Sequence, residues 1–522
     1  MAALVKAKEG KSIRVNVLIN LVRTLTMTIL SFITFPFVTR ALGDQVFGLY
    51  TWANTFVYYF LVLARISIPN IAIRECAKVR DDKEALSHKA QEFFILQAIT
   101  TLLSFGFMAS LCFSVPSLKE NNALIFLLSI NFLLGLFSFE WIFIALEKHA
   151  YITIRSIILI AFSAVLTYVF IRKTSTPENA MNELYIYALI TILPTILTSA
   201  INIVFLRRYI SFKKTRPYNF RPLLKPLVSL FFISLFVTAY NQTDSFLLGF
   251  LDPSKASVGS YSVGVKGIDI VITLITALYT VFMPRASKYY EWENKVHYER
   301  LIRYGFHITF VIAVPAIATM TIMYEPIVGL VAGANQDQYQ NAGMVLAILA
   351  SMMLTFSLCD DIYTQILIPQ KKEKHYLWAM LIGVVLNIGF SLLYGYVFFH
   401  DNPIIGVALA TMVADVIVLI VLIAFTRGDA IPCIFNLDNL KVVLVGLIIA
   451  AISYFLYHAL FNAFPWKDPD NTWISYLLGL LVTVFVDALV YVGLLFLSRE
   501  SITRALIERK GGGHAESEPE GK

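Results

Sequence analysis

Apolar residues run along the chain in blocks of twenty or more, parted by short polar stretches and without the two-residue alternation of barrel strands. A hydrocarbon core of ~30 Å takes about 20 helical residues to cross. Lipid admits only helices or closed barrels, because every backbone polar group must be satisfied internally. The blocks predict fourteen spans: 13–39, 47–74, 89–115, 122–146, 150–171, 184–206, 225–250, 257–284, 301–324, 340–368, 375–399, 404–426, 440–464 and 473–498. The predicted fold class is an all-α polytopic membrane protein. Its first block follows a short basic start and is too long for a signal-peptide core, so it reads as a retained span.

Composition agrees and adds a limit. Of 522 residues, 58% are hydrophobic and 15% charged, with a mean hydropathy of +0.70, where soluble domains carry roughly 25% charged residues. No large soluble domain fits. Basic residues orient the chain, since cytoplasmic segments are enriched in Lys and Arg. Of the 42, 32 fall on alternate segments read as inside and only six on outside loops, namely Arg40, Lys119, Arg172, Lys173, Lys255 and Lys467. The other four, Arg23, Arg65, Arg74 and Lys266, lie within spans. Both termini therefore read as cytoplasmic. The net charge of +7 and the cluster "RRYISFKKTRPYNFRPLLKP" (207–226) read as a linker on anionic lipid headgroups, making membrane lipids a partner and nucleic acid none. Cys76, Cys112, Cys359 and Cys433 have no paired spacing and read as reduced and buried.

One polar hinge recurs. Leu42-Gly43 precedes Gly48-x-Tyr50, and 211 residues after Gly48 the pattern returns as Leu248-Gly249 before Gly259-x-Tyr261. Six spans separate the copies, and an even number preserves orientation, so the repeat is parallel about an axis along the membrane normal. Glycine suits tight turns and close helix approach. The resulting division is a six-helix bundle (1–206), a basic cytoplasmic linker (207–226), a second six-helix bundle (227–426), an appended pair of helices 13 and 14 (427–498) and a partly disordered tail (499–522).

The hairpins "FPFVTRALG…VFGLYTWA" and "YNQTDSFLLG…SVGSYSVGVK" on a fourteen-span frame resemble the polysaccharide transporter family, the Wzx-type flippases of lipid-linked oligosaccharides. Their superfamily also holds multidrug-and-toxin extruders and the lipid II flippase. The resemblance covers the whole chain by span count and two turns by motif. It implies a bacterial cytoplasmic membrane, an undecaprenyl-diphosphate-linked glycan as cargo turned outward by alternating access, and a polysaccharide polymerase or ligase as a candidate partner.

Charges at membrane depth are rare and functional by default. Arg23 lies about ten residues into span 1, ~15 Å along the axis, and Arg65 at similar depth in span 2. Neither has an acid three or four residues away. They read either as a pair that meets a diphosphate, whose oxygens match the planar guanidinium fork, or as halves of an interhelical salt bridge with Glu140. Lys266 has Asp269 at i,i+3, a ready pairing. The superfamily's lipid II flippase uses cations in spans 1, 2 and 8, so the resemblance implies diphosphate-binding roles for Arg23, Arg65 and Lys266.

The second half holds the acids. Asp244, Asn387, Thr411 and Asp415 offer the oxygens that a coupling Na⁺ or H⁺ would take, or the polar glue of packed helices. Asp360 and Asp361 are adjacent and point about 100° apart. No HExxH, CxxC, GxSxG or phosphate-cradling loop is present, which argues against an enzyme, and no cofactor is expected beyond a coupling Na⁺ or H⁺. The expected function is a flippase of lipid-linked oligosaccharide. A multidrug extruder of the same fold and a membrane scaffold without transport are the alternatives.

Overall fold

A computed structural model describes residues 2–172, 177–213, 217–333, 337–339, 341–463 and 472–498. The tail expected at 499–522 lies outside them, as do three residues of the linker. The described residues form helices and no strands.

The first half contains α1 (Ala2–Arg65), α2 (Ile68–Ala77), α3 (Lys83–Ser114), α4 (Pro116–Glu120), α5 (Asn122–Gly135), α6 (Glu140–Ala145), α7 (His149–Phe170) and α8 (Pro177–Leu206). In the second half lie α9 (Arg221–Leu251), α10 (Ala256–Glu291), α11 (Lys295–Ile322), α12 (Tyr324–Ala332), α13 (Ala342–Ser351) and α14 (Met353–Asp361). It continues with α15 (Glu373–Leu393) and α16 (Pro403–Ile434), then α17 (Leu437–Ala463) and α18 (Thr472–Ser498). Ten described helices are long and apolar enough to cross a membrane, or up to twelve if two bent pairs count as one span each. That differs from fourteen partly because the first of the ten, Val22–Ala77, contains the turn expected between spans 1 and 2.

The turn is real. Gly43 leaves helical geometry at φ 74° and ψ 173°, a region that glycine enters without strain. Phe35 and Phe47 then have ring centroids 5.5 Å apart, whereas twelve residues of straight helix would part them by ~18 Å. Two other expected spans are broken. Span 2 stops at Arg65, where Ile66 (φ 41°) and Ser67 (φ 54°) are left-handed before α2 begins. Pro69 has no N–H to donate to the Arg65 carbonyl, and its ring crowds that oxygen. Span 4 unwinds after Gly135 through a short 3₁₀ turn, Leu136–Ser138, and left-handed Phe139 (φ 45°). In span 10 the bend between α13 and α14 is followed by a π-helical turn, Ile362–Leu367.

The two glycine turns of the sequence pattern contact each other. A Cβ on Gly48 would sit 1.9 Å from the Lys255 carbonyl oxygen, and one on Gly259 would sit 2.2 Å from that of Asp44. Gly48 and Gly259 are equivalent across the repeat, and Asp44 and Lys255 are equivalent by the same offset. Each turn thus meets the other reciprocally, as a two-fold relation requires. Around this point Lys255 Nζ lies 4.4 Å above the fully buried Trp52 ring. Arg40 Nε donates to the Val331 carbonyl at 3.0 Å at the end of α12, a helix terminus whose free carbonyls favour a cation.

The packing is uneven from one end to the other. At the Gly43 end, which the charge bias assigns to the outside, residues of both halves share one apolar core, from Val38 and Trp52 to Val258 and Val345. At the opposite end the core divides. One part joins α2, α3 and α6 around Phe93 and Ile142 and takes in Leu223 and Leu227 from the start of α9, and the other joins α11, α14, α15 and α16 around Phe306 and Ile362. The halves share one core at the Gly43 end, while at the other end α9 of the second half still bridges to the first through Leu227 and a 2.8 Å hydrogen bond between Ser67 and Ser234. Asp487 on α18 accepts from Ser453 of α17 at 2.6 Å and Thr319 of α11 at 2.8 Å, tying the appended helices to the second half.

Candidate functional site: a basic cavity and a separate acidic cluster

A cavity of about 620 Å³ lies within the first half, lined by both arms of α1 and by α5, α6, α7 and α8. Arg23 and Arg65 both face it, joined by Arg155 from α7 and by Glu140. Their meeting follows from the hairpin. Arg23 lies 20 residues before Gly43 and Arg65 lies 22 after it, so both stand ~30 Å from the turn. The breaks in spans 2 and 4 adjoin the same cavity, with Arg65 immediately before one and Glu140 immediately after the other.

Glu140 holds two of the three arginines. Its Oε1 accepts from Arg23 Nη1 at 3.4 Å and from Arg155 Nη2 at 3.2 Å. Arg23 therefore makes the interhelical salt bridge with Glu140 that was one of its two readings. Arg155 also donates from Nη1 to Asn202 Oδ1 at 2.5 Å, while Tyr151 donates to the same oxygen at 2.8 Å. Asn202 in turn donates to the Ser138 carbonyl, fixing α8 against the unwound turn. Arg155 Nε is buried without an acceptor. Arg65 differs. Its side chain is accessible from the cavity, and among the described residues it forms no salt bridge. Three guanidiniums against one carboxylate leave a net charge of two positive.

Lys266 does not line this cavity. Its Nζ lies 3.6 Å from Asp269 Oδ2, the i,i+3 pairing legible in the sequence.

In the second half, three of the four expected cation-site residues meet. Asp244 on α9 accepts from Asn387 Nδ2 of α15 at 3.1 Å and from Tyr261 of α10 at 2.5 Å. Asn387 Nδ2 also reaches Thr411 Oγ1 of α16 at 3.0 Å, and its Oδ1 is buried without a donor. Asp415, one turn beyond Thr411, makes none of these bonds. It accepts from Tyr240 at 3.2 Å and from Thr355 instead. Three of the four residues thus form a bonded cluster with Tyr261, and Asp415 is a neighbouring carboxylate with its own hydroxyl donors. The cysteines are free and buried.

The sequence model of the polysaccharide biosynthesis protein family matches residues 13–290, more than half of the chain. This chain belongs to that family. The MatE model matches residues 229–393 of this family member. It is 20% identical over 401 residues to the "Putative O-antigen transporter" of Escherichia coli (strain K12), covering 77% of this chain and 93% of that protein. Among solved structures, the lipid II flippase MurJ in an inward closed conformation is similar at a TM-score of 0.53 and 15% identity, over 95% of this chain and 99% of that one. A transporter of the MOP superfamily from Pyrococcus furiosus Vc1 (DSM3638) gives a TM-score of 0.56 at 16% identity, over 81% and 96%. An outward-facing multidrug MATE transporter of the same superfamily gives the same figures. The family member is accordingly a multi-span membrane protein of polysaccharide biosynthesis whose fold is shared with the MurJ and MATE transporters.

Arg155 is the functional candidate that the sequence pattern missed. It sits six residues into its helix, close enough to the inner boundary to be counted with the inside charge band. Only the packing of α7 against α1 and α8 turns it inward.

Proposed function

We propose that this transporter turns an undecaprenyl-diphosphate-linked oligosaccharide from the inner to the outer leaflet by alternating access. The net positive charge of the first-half cavity carries the reading. A diphosphate brings countercharge only while it is bound, and Arg65 offers it a guanidinium with no salt bridge among the described residues. An extruder of organic cations would meet repulsion at the same wall. The broad core shared at the Gly43 end, against inner cores that α9 bridges without fusing, supports an inward loading state for the headgroup. A relative named for O-antigen transport and a fold neighbour named a lipid II flippase fit the same class of cargo. Na⁺ or H⁺ at Asp244, Asn387 and Thr411 would couple the return step, and a polymerase or ligase would receive the glycan. Lys266, paired with Asp269, would meet the headgroup only when that pair opens.

The test is Arg65→Ala. Hydrogen bonds to charged groups are worth about 1.5–3 kcal/mol, so cargo binding should weaken roughly ten- to a hundredfold at an unchanged protein level. Arg65→Lys should restore part of the loss, keeping charge without the fork. Native surface-glycan export by a normally expressed Arg65→Ala protein would rule out the anion cavity. Unchanged glycan with drug hypersensitivity on depletion would favour the extruder.

A further inference from the structure

One charge of the cavity has no purpose in a simple anion site. Glu140 opposes an anionic cargo in the wall that should attract it. Its geometry gives it a role. A single carboxylate oxygen, Oε1, bridges guanidiniums from two different helices, at 3.4 Å to Arg23 and 3.2 Å to Arg155. That is the arrangement one phosphate oxygen would take. Arg155, with 5% of its side chain exposed, keeps a further donor, Nε, that the carboxylate does not satisfy. A buried donor left unmade is costly, and a phosphate has more acceptor oxygens to offer than one shared carboxylate atom. Glu140 is also free to yield. Its side chain is 36% exposed, and it opens the six-residue α6 directly after a 3₁₀ turn and the left-handed Phe139.

Resting on the anion-cavity reading, we infer that Glu140 is a resident counter-ion. It neutralises Arg23 and Arg155 while the cavity is empty, is displaced by the phosphate of the arriving headgroup, and competes to expel it on the other side. Cavity affinity is thereby held low enough for release.

The measurement is calorimetric binding of inorganic pyrophosphate to the purified full-length protein, with export followed in cells. Glu140→Gln removes the competitor and should bind pyrophosphate on the order of ten- to a hundredfold more tightly, the worth of one charged contact, while exporting more slowly. A Glu140 with only a structural role would lower thermal stability without tightening binding. Glu140→Asp keeps the charge but is one methylene short of bridging both arginines. It should tighten binding by a smaller factor, and it decides the question by the same measure if the glutamine variant does not fold. Binding no tighter in the folded variants, with Arg65→Ala still weakened, overturns the counter-ion and leaves the anion cavity standing. Pyrophosphate that binds neither wild type nor any variant overturns both.

Discussion

The reciprocal glycine contact is the part of the closed outer face most open to perturbation. Carbon–oxygen contacts of this kind sit at about 3.3–3.6 Å. An alanine Cβ would lie 1.9 Å from the Lys255 oxygen at position 48, or 2.2 Å from the Asp44 oxygen at position 259. The turns would have to part by roughly 1.4 Å in the first case and 1.1 Å in the second. The obstacle in each case is backbone, which cannot rotate aside. Overpacking of this order costs typically 1–3 kcal/mol, and the cost disappears once the turns separate. Taking about 2 kcal/mol, Gly48→Ala should shift the equilibrium between closed and open outer faces about thirtyfold toward open.

Thr55 gives the readout. It is 3% exposed and donates to Gln242 of the other half at 3.5 Å, so it is accessible only when the halves part. In a Thr55→Cys background, Gly48→Ala and Gly259→Ala should each speed labelling by an impermeant maleimide from outside. Export should slow, because loading of the inner cavity is disfavoured. Since both substitutions strain one contact, the double variant should do less than the sum of the singles. Unchanged labelling in both well-expressed single variants would refute the claim that this contact closes the outer face.

Two further outcomes follow from the second half. Asp244→Asn and Thr411→Val should weaken dependence of export on the ion gradient before they weaken glycan binding. Asp415→Asn should do so less, because Tyr240 and Thr355 hold that carboxylate outside the cluster. Transport in energised vesicles with varied Na⁺ and pH separates these, and equal effects of Asp244→Asn and Asp415→Asn would restore a single site. Asp487→Ala should lower thermal stability by about 1–3 kcal/mol through the stranded Ser453 and Thr319 hydroxyls, with export per folded molecule unchanged. A transport defect without destabilisation would instead give α17 and α18 a direct role.

Much of the fold was legible because lipid leaves few choices. Length and hydropathy alone give helices, and the glycine turns 211 residues apart give the internal repeat. The breaks were less visible. Pro69 marks the end of the long arm of α1 through its missing N–H, yet the apolar run continues across it and hides the stop. The unwinding at Leu136–Ser138 carries no proline, only Gly135 before it. Tertiary bonds, such as that from Asn202 to the Ser138 carbonyl, satisfy the freed backbone there, as membrane interiors require. No local pattern announces a partner 64 residues away.

The same asymmetry governs the site. Depth along a helix is additive in sequence, so equal distances from Gly43 were enough to bring Arg23 and Arg65 to one level. Which acid meets which base is not additive. Glu140 was at the correct depth for Arg23, but its second partner, Arg155, entered through the rotation of α7, which hydropathy does not encode. The acids of the second half repeat the lesson. Thr411 and Asp415 are four apart on α16 and share a face, yet Tyr261 and Asn387 claim Asp244 while Tyr240 and Thr355 claim Asp415. Neutral donors on neighbouring helices divide one predicted site into two. A cation bound at Asp244 would consequently pull on α9, α10, α15 and α16 together, and α9 and α10 are the arms of the second hairpin that closes against Gly48. The acidic cluster is therefore mechanically joined to the outer closure through that hairpin, while the basic cavity is joined to it through α1.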